Sequence, residues 1–176
     1  MDLPKQYQWL AKEPGPRILT EALKTYGTIE KPGPGSNPSI LQWAEDVGLD
    51  KVYKADSTAW CGLWAAYVVK QAGWDDPYNP LWARNWINWG LPQKVAMLGD
   101  ILVFSRGSSG HVGMYVGEDA ACYHVLGGNQ SDQVMIKRIA KSRLLGIRRC
   151  PWRINQPANV RVVKLAALGG LSTNEA

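Results

Sequence analysis

Histidine and cysteine are scarce in this sequence, with two and three residues, and phenylalanine occurs once. The cysteines, Cys61, Cys122 and Cys150, are odd in number and share no paired spacing. That argues against a disulfide framework and fits synthesis in a reducing compartment. Two histidines without a close-spaced ligand pair offer little from which to build a metal centre. No segment approaches the roughly 18 consecutive apolar residues of a transmembrane helix. Met1 to Glu13 carries Lys5, Lys12 and Glu13 but no apolar run, so no signal peptide is visible. Acidic residues are missing from Gln133 to Asn174, a stretch with nine basic ones: Lys137, Arg138, Lys141, Arg143, Arg148, Arg149, Arg153, Arg161 and Lys164. No internal repeat is visible.

What is present suits one folded domain. The 176 residues are 45% hydrophobic and 20% charged, enough apolar material for a buried core and too much for wholesale disorder. A net charge of +5 favours acidic partners without demanding them. Residues 1–154 read as a single domain, of which 1–36 hold an N-terminal helix and a Pro/Gly-rich loop, and 155–176 as a basic tail. Val160 to Leu168 could form a short amphipathic segment within it.

Helical spacing covers Arg17 to Tyr26, where Ile18, Leu19, Ala22 and Leu23 recur on one face. Lys31 to Pro38 is too rich in Pro and Gly for a regular element. Asn37 and Pro38 predict an N-cap and first turn for a helix ending at Val47, stopped by Gly48. A longer helix is expected from Cys61 to Gln71, capped by Ser57 or Thr58, and another from Pro80 to Trp89. From Gly99 the period changes. Ile101 to Phe104, His111 to Gly117, Tyr123 to Leu126, Val134 to Ile139 and Leu144 to Ile147 read as strands joined by short turns. Helices followed by a strand meander predict an α+β fold.

The chemistry concentrates at Cys61. A thiol on the first turn of a helix meets the positive end of the dipole and unpaired N–H groups, which favour thiolate and suit an oxyanion. The plain alternative is a small buried cysteine. His111 opens a strand on the face opposite Val112, Met114 and Val116, where Gly113 and Gly117 leave room for the helix bearing Cys61. Thiol and imidazole together make the minimal activated nucleophile; the alternative is a surface histidine at a strand end. Asn129, in Gly127-Gly128-Asn129-Gln130, is a candidate to orient the imidazole, as in Cys-His-Asn sites. Asp132 and Gln130 stand behind it, and the same residues are good turn chemistry. Gln130, Asp132 and Trp60, adjacent to the thiol, are candidate substrate-binding residues. His124 shares its strand face with Cys122 and Leu126 and reads as structural. Trp82, Trp86 and Trp89 fall on one helical stripe, read as packed core before sugar platform.

Four motifs in this order resemble the papain-like cysteine peptidoglycan hydrolases, which include the CHAP domains and their NlpC-type relatives. They are Trp60-Cys61 opening a helix, Leu98 to Phe104, Gly110 to Gly117 and Leu126 to Gln130. With Pro34 to Ile40 they are similar to a phage-associated, endolysin-like branch, and the likeness covers Thr20 to Ile147. It implies a papain-like fold with N-terminal helices on a central antiparallel sheet. It also implies a Cys61 nucleophile, a His111 base, a polar third residue at Asn129, and cleavage of an amide in bacterial cell-wall peptide without metal or organic cofactor. Two departures stand out: Trp60 occupies a position where NlpC-type members usually carry Asp, and no second wall-binding module is recognisable.

The expected partner is peptidoglycan, with nonspecific contact of the basic C-terminal region to anionic wall or membrane surfaces. Nucleic acid is not expected, since no base-reading motif accompanies the charge. A monomer is expected, made in the host cytoplasm and reaching the wall by assisted release or on a virion. Two alternatives differ in class. A zinc amidase would need His111, His124 and a cysteine such as Cys122 to converge; a wall- or tail-binding module would need no chemistry. A muramidase has weaker grounds, because neither Glu45 nor Glu118 stands in a distinctive context.

Overall fold

A computed structural model describes residues 2–153 and 155–173. Ile154, at the expected domain boundary, and residues 174–176 of the expected tail lie outside the described residues. The helical half contains α1 (Arg17–Lys24), α2 (Pro38–Asp46) and α3 (Cys61–Gln71). Asn37 caps α2 as anticipated, its side-chain oxygen accepting from Ser39 N at 2.8 Å. A 3-10 helix at Lys5–Lys12 precedes them, a feature with no sequence signal of its own. The helix expected over Pro80 to Trp89 is a 3-10 segment, Ala83–Asn88. That difference breaks the tryptophan stripe: Trp86 and Trp89 are buried, but Trp82 is 66% exposed.

The strands are β1 (Leu91–Gln93), β2 (Ile101–Arg106), β3 (Ser109–Glu118), β4 (Cys122–Gly127), β5 (Met135–Ala140), β6 (Leu144–Arg149) and β7 (Leu171–Ser172). They form one sheet in the order β1-β6-β2-β3-β4-β5-β7, so the fold is α+β. Strands β2 to β5 are the anticipated antiparallel meander, with Ile101 opposite Met114 and Phe104 opposite His111. Strand β6 departs from it by returning to pair with β2. The short β7 lies parallel along β5.

Alternation along β2 and β3 feeds two apolar clusters. Ile101, Val103, Val112, Met114 and Val116 join the helices, including Cys61, Leu63 and Trp64 of α3. Leu102, Phe104 and Tyr115 face a smaller cluster with Val125, Ile139 and Ile147. The chain after Pro157 is not a detached tail: it runs along the sheet. Glu118 N donates to Val163 O, Leu165 N to Glu118 O, and Leu165 fills the space over Gly117. The basic residues of this half are largely spoken for. Arg138 pairs with Asp119, Arg149 with Asp100, Arg161 with Glu13, and both Lys141 and Lys164 with Glu118. Among the described residues, no helix is long and apolar enough to cross a membrane.

One buried polar network makes stability depend on pH. His124 Nε2 lies 2.9 Å from Asp119 Oδ2 and its Nδ1 lies 2.7 Å from Tyr7 Oη. The Arg138 hydrogen bond holds the Asp119 carboxyl well below the usual carboxylate range. Burial pushes His124 below the usual histidine value, against the pull of Asp119. Both groups therefore bind protons less readily folded than unfolded. Stability falls as pH drops through about 6.5, the unfolded histidine value, and again below about 3.9, where unfolded aspartate titrates. Urea midpoints measured from pH 7.5 to 5 should decline, and His124→Asn should flatten that decline; a midpoint constant over the range contradicts the assignment.

Candidate active site

Helix α3 begins at Cys61 because the chain before it is tied down, not because a side chain caps it. Trp60 is the N-cap residue and makes no side-chain cap bond, so neither Ser57 nor Thr58 has the expected role. The first intrahelical bond runs from Trp64 N to Trp60 O, leaving the N–H groups of residues 61–63 ahead of it. Position 62 admits only glycine: a Cβ there would press into Pro80 O and lie 2.8 Å from Leu81 O. The 80–81 segment thus packs directly on the turn that carries the thiol.

Cys61 is buried, 3% exposed, and its sulfur meets β3 at the Val112 N–H, one residue beyond His111. Helix α3 packs on the Val112, Met114 and Val116 face, opposite to the expected side. The glycines do different work: a Cβ on Gly113 would collide with Val125 of β4. Burial pushes the thiol above its ordinary value, while Val112 N–H, the Arg106 charge and the Gly62 N–H act the other way. The helix start alone therefore does not yield the low thiol value anticipated from position. A proton acceptor is required.

His111, fully buried, has its Nε2 3.1 Å from Gln130 Oε1. The Gln130 amide has no freedom to flip. Its Nε2 donates to Val125 O at 3.0 Å and to Met135 O at 2.5 Å, which turns its oxygen to the ring. An amide oxygen only accepts, so His111 Nε2 carries the hydrogen and Nδ1 is the basic nitrogen of the neutral ring. Gly127 adjoins this pair: a Cβ there would sit 3.4 Å from His111 Nε2, in ordinary contact.

Gln130, expected as a substrate contact and as second choice to Asn129, thus engages the imidazole. Asn129 stands at φ 52°, with Ser131 and Asp132 at 52° and 58°. A run of left-handed residues folds the β4–β5 loop back, and Asn tolerates that conformation better than most. Asn129 thus fits the turn reading, and the kink at 129 aims the next side chain inward. Nothing in residue type or spacing distinguished the two; the loop's dihedral angles do.

No protein-family model matches this chain, and no curated protein does. The remaining site residues are placed by geometry alone. Trp60 does not line a cleft: it is fully buried, donates Nε1 to Glu30 Oε2 at 3.2 Å, and its ring is covered by Gly128 and Trp43. Asp132 is exposed, and its carbonyl accepts from Glu30 N. Neither borders the opening at Cys61. That opening is a cavity of about 200 Å³ between Ala59, the 81–84 segment and the β2–β3 hairpin. Its rim includes Trp82, read at first as core, and the hairpin contributes Arg106, Ser108 and Ser109.

Cys122 and Cys150 are buried and pushed up by burial, Cys150 to about 12, as inert structural thiols are. Both His124 nitrogens are engaged by Tyr7 and Asp119. The donor set of a zinc amidase therefore does not converge, and no group of three His, Cys, Asp or Glu residues among the described residues is arranged to hold a metal ion.

Proposed function

We propose that this protein is a cysteine amidase or peptidase of papain-like arrangement that cuts an amide bond in bacterial cell-wall peptide, in the manner of an endolysin. The observation that carries the reading is the meeting of the Cys61 sulfur with the β3 backbone beside His111, whose Nε2 is pinned by Gln130. The reading requires His111, one residue along β3 from the thiol's contact at the Val112 N–H, to take the thiol proton as sulfur attacks the scissile carbonyl. The oxyanion is held by N–H groups at the start of α3. The imidazolium then protonates the leaving amine, and water, activated by His111, hydrolyses the thioester. The four ordered motifs that resemble peptidoglycan hydrolases supply the substrate class.

Purified cell wall incubated with the protein should release fragments whose masses differ from the intact polymer by hydrolysis of an amide. The masses also assign the bond, sugar–peptide or within the peptide. Binding to wall without any released fragment would favour a binding module instead. Gln130→Leu should lower the turnover number about 10–100-fold, because a mispositioned ring loses part of general base catalysis. It should also cost about 2–4 kcal/mol of stability, since Val125 O and Met135 O lose their donor. Unaltered turnover in a folded Gln130→Leu protein would remove Gln130 from the site.

A further inference from the structure

The cavity that opens onto Cys61 is lined by two arginines, two serines and the exposed Trp82, with no acidic side chain among its described residues. The two arginines are not equivalent. Arg84 is committed: its Nε donates to Ser109 O at 2.7 Å and its Nη2 to Gly107 O at 3.1 Å, fastening the β2–β3 hairpin to the 81–84 segment. Gly110 accommodates this clamp, because a Cβ there would lie 2.8 Å from Arg84 Cγ. Arg106 is not. Its Nη1 is buried and, among the described residues, has no hydrogen-bond partner.

A buried guanidinium nitrogen without an acceptor is costly, and its planar fork matches a carboxylate better than any neutral group. We propose that Arg106 binds a carboxylate of the substrate on the residue adjoining the carbonyl that Cys61 attacks. The size of the cavity agrees. At about 200 Å³ it is smaller than sites that enclose a whole drug-sized ligand, roughly 300–1,000 Å³, and takes one acidic residue with its carbonyl against the thiol. Trp82 at the rim covers the aliphatic part of that residue. The substrate class is thus narrowed to wall peptides with a free carboxylate next to the scissile amide; amidated ones are disfavoured. This specificity rests on Cys61 as the nucleophile of the proposed function, whereas the carboxylate site itself does not.

Two alkylating agents test the site without any wall substrate. Iodoacetate and iodoacetamide react alike: a sulfur–carbon bond forms at their methylene and iodide leaves. They differ in carrying a carboxylate or an amide. Rates of Cys61 modification in the full-length protein, followed by peptide mass mapping at low salt, give a ratio from which the thiolate fraction cancels. The iodoacetate-to-iodoacetamide ratio at Cys61 should exceed that of free cysteine by about ten-fold or more, the size of a charge-assisted hydrogen bond. Arg106→Gln should return it to the free-cysteine value, and Arg106→Lys, which keeps the charge but not the fork, should fall between. A wild-type ratio equal to free cysteine, a ratio indifferent to Arg106→Gln, or a Cys61 inert to both reagents overturns the proposal.

A second measurement separates this idea from the hydrolase reading. Wall peptide with free carboxylates should be cut faster than the same material amidated, and Arg106→Gln should erase the difference. Equal cutting of both refutes carboxylate recognition and leaves the hydrolase intact. A retained iodoacetate preference with no cutting of either refutes the hydrolase and leaves the carboxylate site.

Discussion

Under the proposed function, Cys61→Ala should abolish wall cleavage, lowering it by about 10⁴-fold or more, while the thermal midpoint should stay within a few degrees of wild type. The size follows from the mechanism: removing a nucleophile leaves only binding and oxyanion stabilisation, and losses of this order are typical. The small stability change follows from burial. The side chain shed is a single sulfur, 3% exposed at the cavity edge, and loses none of the α3 backbone bonds. Cys61→Ser should be nearly as inactive, because burial that already pushes a thiol up leaves a hydroxyl still harder to ionise. A released-fragment assay on equal amounts of folded protein decides it. Near-normal cleavage by Cys61→Ala would place the chemistry elsewhere.

Arg149→Met should destabilise the protein strongly. Arg149 and Asp100 form a two-pronged pair, Nε to Oδ1 at 2.8 Å and Nη2 to Oδ2 at 2.7 Å, with side chains 9% and 1% exposed. Nη2 also donates to Val95 O, so the end of β6 is tied to the turn that enters β2. Burial already pushes the Asp100 carboxyl up against the pull of Arg149. Without the guanidinium, a charged carboxylate would be stranded, a loss of about 3–5 kcal/mol. For a chain of this length that corresponds to a midpoint lowered by roughly 6–20 °C. Adding Asp100→Asn to Arg149→Met should recover part of the loss, since it removes the stranded charge. Calorimetry of both proteins checks the sign and the non-additivity; a single variant as stable as wild type would mean the pair is not structural.

Much of the fold was legible because its signals are local. Asn37-Pro38 fixes the start of α2, and the apolar alternation of Val112, Met114 and Val116 marks β3 as a strand, but α3 was expected on its glycine-bearing face and packs on the apolar one. Tryptophans were harder. Trp82 sits at the helical spacing of Trp86 and Trp89, but the segment winds as a 3-10 helix, and the first of the three turns outward to the cavity rim. Strand β7 and the course of the last residues were not foreseen. Their pairing with β5 and Glu118 depends on neighbours far away in the chain.

By itself the sequence determined the α+β class, the helix starting at Cys61, the strand carrying His111 and the acid-free stretch from Gln133 to Asn174. Each follows from periodicity, turn chemistry or composition within a short window. Only the tertiary structure decided that Gln130 reaches the imidazole, that Trp60 is core, and that Arg106 shares a cavity with the thiol. Those outcomes depend on left-handed turns in one loop and on which buried polar atoms find partners. Such partners lie tens of residues apart and obey no local pattern.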